Sequence, residues 1–198
     1  MLKIFLDILS QFVARPAPSS KPSGLVAIQV KPEIDWENPS TKISEFFTVH
    51  DACWLPSWKI HHIPSDQEQE NLIKTAKKLD EVKKLLNKDI KIHVWIRPNS
   101  VNCPTSDKHG QDYNKAIGGA SKSSHISGLA VDFSCVGSSV DEILNILEPK
   151  CEELQFALEN NGSIERIKSK GGKGGPRNWI HLQILPLLRA PHFRIFNP

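Results

Sequence analysis

The sequence predicts an α+β fold in which a small antiparallel sheet is flanked by helices. Two observations lead to this prediction: amphipathic helical stretches with capping signals, and short strands with alternating polarity, in separate runs along the chain. The 198 residues are enough for one domain of moderate size with a real hydrophobic core, plus an extension.

We expect residues 1–39 to precede this domain and residues 40–198 to form it. Residues 1–13 superficially resemble a signal peptide, but Asp7 interrupts their apolar run and no small-x-small cleavage site follows. Their apolar positions cover most of a helix, which favours docking against a partner. Residues 14–24 are rich in proline and serine and predict a linker. A short strand over residues 25–30 is the next prediction.

Helix starts are predicted at three capping boxes, in which a Ser or Thr is followed three residues later by an acidic residue. They begin at Thr48, Ser65 and Ser139. After Ser65, apolar residues recur at helical spacing with lysines between them, which predicts a long helix. These apolar residues are Leu72, Ala76, Leu79, Val82 and Leu86.

Strands are predicted where apolar and polar residues alternate. The predicted strands are residues 90–96, residues 128–135, a stretch around Leu154, Phe156 and Leu158, and residues 179–184. Glycines at 171, 172, 174 and 175 precede the last of these strands and indicate a loop.

The alternation also indicates where the polar side chains point. Asp132 lies on the opposite face of its strand from Val131 and Phe133, and His181 lies on the opposite face from its apolar neighbours. Two adjacent strands would therefore present Asp132 and His181 side by side, with His125 arriving from the preceding loop. Two His and one Asp are the right ligands for a catalytic zinc that keeps its fourth position open.

Composition excludes some classes of function. The net charge is only +3, which gives no general argument for a nucleic-acid partner. A local basic cluster of Lys168, Lys170, Lys173 and Arg177 is compatible with an anionic polymer such as a bacterial wall, and equally with a solvated loop. No run reaches the length of a membrane span. The four cysteines form no CxxC pair, so a cysteine-ligated structural zinc is not expected, and zero, one or two disulfides are all compatible with their spacing.

These motifs resemble those of the zinc D-alanyl-D-alanine metallopeptidases, a family of bacterial carboxypeptidases, vancomycin-resistance dipeptidases and many phage lysins. The family's Ser-x-His-x-x-Gly-x-Ala-x-Asp pattern is met from Ser123 to Asp132. Its Trp-x-His element is met by Trp179 and His181. The combination of motifs in the family's order is specific, whereas each motif alone is weak.

Two further blocks extend the resemblance. Residues 96–98 are similar to the family's Tyr-Arg-Ser turn, and residues 113–120 to its Asn-x-x-x-Gly-Gly segment. Residues 43–48 are also similar to the family's usual domain opening, so the resemblance covers roughly residues 41–190, with its blocks in the family's order. The resemblance implies the Hedgehog-like α+β fold of these peptidases.

The resemblance also implies roles for individual residues. His125, Asp132 and His181 would hold the zinc ion. Arg97 would orient a substrate carboxylate or carbonyl and thereby serve catalysis, a task suited to a planar cation. Ser123 would be a substrate-binding hydroxyl and Trp179 a wall of the cleft.

The general base departs from the family pattern. Many members have Asp or Glu three residues before the last histidine, but here that residue is Asn178, and an amide cannot take a proton from water. Phage-type members often carry Gln-Leu-Ile-x-Glu on the preceding strand, and residues 155–159 match that form. Glu159 is therefore the predicted catalytic base.

The expected function is zinc-dependent cleavage of peptide bonds in bacterial peptidoglycan. The phage-like motifs predict a phage virion protein attached to tail or baseplate proteins through residues 1–24, or a lysin acting in the host cell. A bacterial cell envelope is the other setting. Because of Asn178, the rival hypothesis is a phage structural or binding protein that keeps the fold and the metal but has lost turnover.

Overall fold

The protein is described by a computed structural model over residues 33–172, 175–185 and 193–197. Its helices are α1 (Val49–Cys53), α2 (Asp66–Leu86), α3 (Tyr113–Ala116), α4 (Val140–Leu147), α5 (Cys151–Leu154) and α6 (Ile164–Ser169). Its strands are β1 (Trp54–Leu55), β2 (Ile60–His61), β3 (Ile90–Val94), β4 (Ala130–Cys135), β5 (Ala157–Glu159), β6 (Ile180–Gln183) and β7 (Ile195–Phe196). Helices with small sheets confirm the predicted α+β class.

The main sheet has five strands in the order β3–β4–β6–β5–β7. The pairings β3–β4, β4–β6 and β5–β6 are antiparallel, whereas β7 pairs with β5 in parallel. Strands β1 and β2 form a separate antiparallel pair. The small antiparallel sheet is thus confirmed for four strands, and a parallel edge strand that the sequence analysis did not foresee completes it.

The three predicted helix starts are confirmed. Capping boxes at Thr48, Ser65 and Ser139 begin α1, α2 and α4, so the side chains satisfy backbone N–H groups that have no partner within the helix. Helix α2 buries its apolar stripe, as its periodicity predicts, and α4 buries Ile143, Leu144 and Leu147. The core-facing side of the sheet contributes Val131, Phe133, Leu158, Ile180 and Leu182 to the same hydrophobic core.

The strand predicted around Leu154 begins later than expected. Leu154 ends helix α5, and Gln155 follows with a φ of 55°, in the left-handed region, before strand β5 starts at Ala157. Apolar residues at alternate positions fit a strand, but a buried turn of helix can also place one of them in the core. Here a 3-10 turn, Glu148–Lys150, continues α4 into α5 and carries Leu154 inward in a helical segment.

The compact unit begins at Glu33, and Trp36 already lies in its core, a few residues before the predicted boundary at residue 40. The predictions of a docking segment, a linker and a short strand within residues 1–32 lie outside the described residues, as does Lys173 of the basic cluster. In the described part of the chain, no helix combines the length and apolarity needed to cross a membrane.

All four cysteines are free thiols. Cys53, Cys135 and Cys151 are buried, and burial raises the pKa of Cys135 to about 11 and that of Cys151 to about 12. Of the disulfide counts compatible with the spacing, the structure has zero.

Candidate metal centre

Strands β4 and β6 place Asp132 directly opposite His181. Directly opposite residues on neighbouring strands share a face of the sheet, so both side chains lie on the face away from Val131 and Leu182. The alternation in the sequence predicts this placement, and the register makes it specific, because a slip of one residue would turn one of the two side chains into the core.

His125 comes from a 3-10 turn, Ser124–Ser127, immediately before β4. Ser123 begins the turn, and its hydroxyl accepts a hydrogen bond from the backbone N–H of His125 at 3.4 Å. Gly128 ends the turn with a φ of +73°, a conformation that favours glycine. The half-buried Ser123, predicted to bind substrate, thus lies where it supports the loop that carries His125.

Helix α2 holds the other end of this turn in place. Asn71 donates through Nδ2 to the carbonyl of Ser127 at 3.0 Å, and Thr75 donates through Oγ1 to the carbonyl of Gly128 at 2.9 Å. Both polar side chains are buried beside the apolar stripe of α2. Sequence reasoning missed them, although a polar pair four residues apart on a buried helix face is a signal that could have found them.

The three side chains converge on one small volume. His125 Nε2 lies 3.2 Å from Asp132 Oδ1 and 3.1 Å from His181 Nδ1, and His181 Nδ1 lies 2.9 Å from Asp132 Oδ1. Zinc bonds of about 2.0–2.1 Å in tetrahedral geometry separate neighbouring ligand atoms by about 3.3 Å, close to these distances. Among the described residues, this is the only group of three or more His, Cys, Asp or Glu spaced for a metal ion.

The hydrogen bonds of His125 test whether the site fits a cation. Its Nδ1 lies 2.7 Å from the backbone carbonyl of Trp95, which only accepts, so we assign the N–H to Nδ1. Nε2 of the neutral ring then carries a lone pair and faces the carboxylate oxygen of Asp132, which is also an acceptor. Two acceptors directed at each other are satisfied by a cation between them, so these residues fit a zinc ion.

Burial keeps His125 in the form that binds metal. His125 is 1% exposed, and burial lowers its pKa, although the negative charge of Asp132 works in the opposite direction. Burial by itself would raise the pKa of Asp132, but the adjacent imidazoles of His125 and His181 outweigh it and hold that pKa well below its usual range. Asp132 is therefore held in its ionised form, which is the form that binds a cation.

Arg97 lies in contact with two members of the cluster. Its Nη2 forms an ion pair with Oδ2 of Asp132, the oxygen that does not face the histidines, and its backbone N–H donates to the carbonyl of His125 at 2.9 Å. Nε of Arg97 is buried with no hydrogen-bond partner among the described residues. Arg97, predicted to orient substrate, thus lies at the site and shares its charge with Asp132.

Glu159 lies on the same face, one strand away from His181. Strand β5 pairs Leu158 with Leu182 in antiparallel register, and one further step of that ladder brings Glu159 opposite His181. Asp132, His181 and Glu159 thus form a row across three neighbouring strands. The carboxylate is largely buried, with its side chain 13% exposed.

Two predicted site features lie beside this row. Trp179 lies in a bend just before strand β6, and the guanidinium of Arg177 stacks over its ring at 5.2 Å. Asn178 is exposed and lines a neighbouring groove. Phe196 on β7 was not foreseen; its ring meets that of His181 edge to face at a centroid distance of 6.0 Å.

A protein-family model described as Peptidase M15 matches residues 57–183, which is more than half of the chain. The chain belongs to the M15 peptidase family. This zinc-dependent family is that of the D-Ala-D-Ala metallopeptidases, which the motifs resemble, and the family assignment identifies the chain as a peptidase. No curated protein and no solved structure gives a significant match. The matched residues include the cluster of His125, Asp132 and His181, together with Arg97 and Glu159.

Proposed function

We propose that this M15 peptidase is a zinc enzyme that cleaves peptide bonds of bacterial peptidoglycan, with His125, Asp132 and His181 as the metal ligands. The observation that carries the proposal is the convergence of three ligand atoms within 3.2 Å of one another on one face of the sheet. When bound, zinc supplies a Lewis acid that polarises a carbonyl and lowers the pKa of a water molecule toward ~7.

Glu159 is the group that we assign to proton transfer. A general base must lie within reach of the attacking water, directly or through one further water. The sheet register supports this role, because Glu159 follows Leu158 at the position opposite His181. Asn178 has an amide in place of the usual carboxylate and therefore has no basic group to offer.

The remaining residues of the face have supporting parts. Arg97 holds Oδ2 of Asp132, which leaves Oδ1 directed at the two histidines. The Arg97 side chain is still 18% exposed, and its guanidinium is suited to donate to a substrate carbonyl. Trp179, which is two residues before His181, is assigned to a wall of the cleft, and Ser123 supports the His125 loop.

For the biological setting, we propose a phage tail, baseplate or lysis protein, with the bacterial envelope as the alternative. The motif form Gln-x-x-x-Glu at residues 155–159 is what supports a phage origin. A structural or binding protein that holds zinc without turnover is the second candidate, and the replacement of the usual acidic residue by Asn178 is the observation in its favour.

The metal assignment is tested by elemental analysis of purified protein. We expect about one zinc per chain in the wild type and almost none in His181→Ala, because removing one of three ligands leaves too few for a stable site. His109→Ala removes an exposed histidine outside the cluster and should retain the metal. Full zinc content in His181→Ala would contradict the ligand assignment.

Turnover is tested with purified muropeptides, with and without a chelator. We expect the wild type to release peptide fragments only in the absence of chelator. Glu159→Gln should keep its zinc and lose activity by about 100-fold or more, because an amide cannot accept the proton. A wild type that holds zinc but cleaves no muropeptide would favour the binding protein, and an active Glu159→Gln would place the base elsewhere.

A further inference from the structure

Arg177 is an exposed cation beside the candidate active site that the chemistry above does not use. Its side chain is 46% exposed, and its guanidinium carbon lies 5.2 Å from the centre of the Trp179 ring. Its backbone N–H donates to the carbonyl of Asn161 at 2.9 Å, which fixes the start of the side chain. The stacking on Trp179 restricts the planar guanidinium in orientation while part of it stays in contact with solvent.

The ionic contact of Arg177 with Glu159 is loose. Nε lies 3.5 Å from Oε1 of Glu159, whereas a charge-assisted hydrogen bond of this type is about 2.7–2.9 Å long. The contact still shows that the guanidinium reaches the residue that lies opposite His181 in the sheet register. Arg177 is therefore adjacent to the row of Asp132, His181 and Glu159.

Arg97 is less suited to hold a negatively charged group of a substrate. Its side chain is 18% exposed, and its charge is already compensated by the ion pair with Asp132. A further carboxylate at that point would be repelled by Asp132 in a poorly solvated environment. Arg177 also has a carboxylate neighbour, Glu159, but Arg177 is more exposed and its contact is longer. Solvent therefore screens the repulsion, and the charge of Arg177 remains available to an incoming anion.

We propose that Arg177 binds a carboxylate of the peptide substrate and selects substrates that carry a free carboxylate near the scissile bond. This inference rests on the proposed function and names a specificity-determining residue for it. Arg177 also lines a groove of about 360 Å³ between the starts of α4 and α6, which gives space for the residue that carries the carboxylate. The carboxylate is either the C-terminal one or that of an acidic side chain within the peptide.

The test compares matched peptides with wild type, Arg177→Ala, Arg177→Lys and Lys168→Ala. One peptide pair differs by a C-terminal acid or amide, and a second pair has Glu or Gln beside the scissile bond. Lys168 is an exposed lysine of the same basic segment and serves as the control. Zinc content and the circular dichroism spectrum confirm that each variant is folded and loaded with metal.

We expect the kcat/KM of the wild type to be about 10–100-fold higher for the acid form of one pair, mainly because KM is lower. This is the size of effect that one hydrogen bond to a charged group gives. The pair that shows this preference identifies the source of the carboxylate. Arg177→Ala should raise KM for the acid form and remove the preference, Arg177→Lys should keep part of it, and Lys168→Ala should keep all of it.

Two results would overturn the inference while leaving the proposed function intact. A wild type that cleaves acid and amide forms equally well has no carboxylate selection. A loss of kcat in Arg177→Ala that is equal for all four peptides would show that Arg177 only orients Glu159. Absence of cleavage of every peptide by zinc-loaded wild type would instead count against the proposed function itself.

Discussion

At the scale of single residues, Asp132 uses its two carboxylate oxygens for two different purposes. Oδ1 faces His125 and His181, and Oδ2 is paired with Arg97. The carboxylate is 4% exposed, so its charge needs these partners. Without metal, Arg97 supplies a permanent positive charge beside it, whereas burial lowers the pKa of His125.

Arg97→Ala is therefore expected to destabilise the metal-free protein by about 2–4 kcal/mol, since it leaves a buried carboxylate poorly compensated. The zinc-loaded protein should lose less stability, because the bound cation compensates the charge of Asp132. Urea unfolding with chelator and with excess zinc measures both values. Arg97→Lys, which keeps the charge, is the matched control. An equal loss in the two conditions would mean that zinc does not bind to Asp132.

At the scale of structural elements, the sequence predicts those features that are set by local patterns. Capping boxes locate α1, α2 and α4, and period-two alternation brings Asp132 and His181 to one face. Strand β7 has only two residues and takes its place by long-range parallel pairing with β5, which no local pattern encodes. The contact of Arg97 with Asp132 depends in the same way on tertiary structure.

Gly128 joins the His125 turn to strand β4 and shows how an element end controls the site. Its φ is +73°, and a Cβ there would lie 2.8 Å from Cδ2 of Leu72 on α2. Gly137, after the same strand, has a similar φ of +71° but no atom within 4 Å of such a Cβ. Both glycines therefore have a left-handed backbone conformation, but only Gly128 is closely packed against a neighbouring side chain.

Gly137→Ala is expected to cost about 1–2 kcal/mol, the strain of a left-handed alanine. Gly128→Ala should cost about 2–4 kcal/mol, because the contact with Leu72 is added. It should also weaken zinc binding, since the turn that holds His125 must move. Urea unfolding and chelator competition measure these effects. Equal stability losses in the two variants would show that Leu72 moves aside without cost.

At the scale of the whole molecule, several histidines make the protein less stable as the pH falls. Burial is the main cause that lowers the pKa of His61, His93 and His125. The unfolded chain binds these protons near the ordinary pKa of about 6.5, whereas the folded protein binds them only at lower pH. Unfolding therefore takes up protons below about pH 6.5, and the free energy of unfolding falls as the pH falls.

We expect the metal-free protein to lose about 1–2 kcal/mol of stability between pH 7.5 and pH 5.0, and to be nearly independent of pH above about 7. Asp132 adds a further loss below its ordinary pKa of 3.8, because its pKa in the folded protein is lower still. Urea midpoints in chelator at pH 7.5, 6.0 and 5.0 measure the first part. His93→Gln removes one of these three imidazoles and should reduce the loss. A stability that is constant or rises toward pH 5.0 would contradict the prediction, since it would mean that the folded protein binds these protons at least as readily as the unfolded chain.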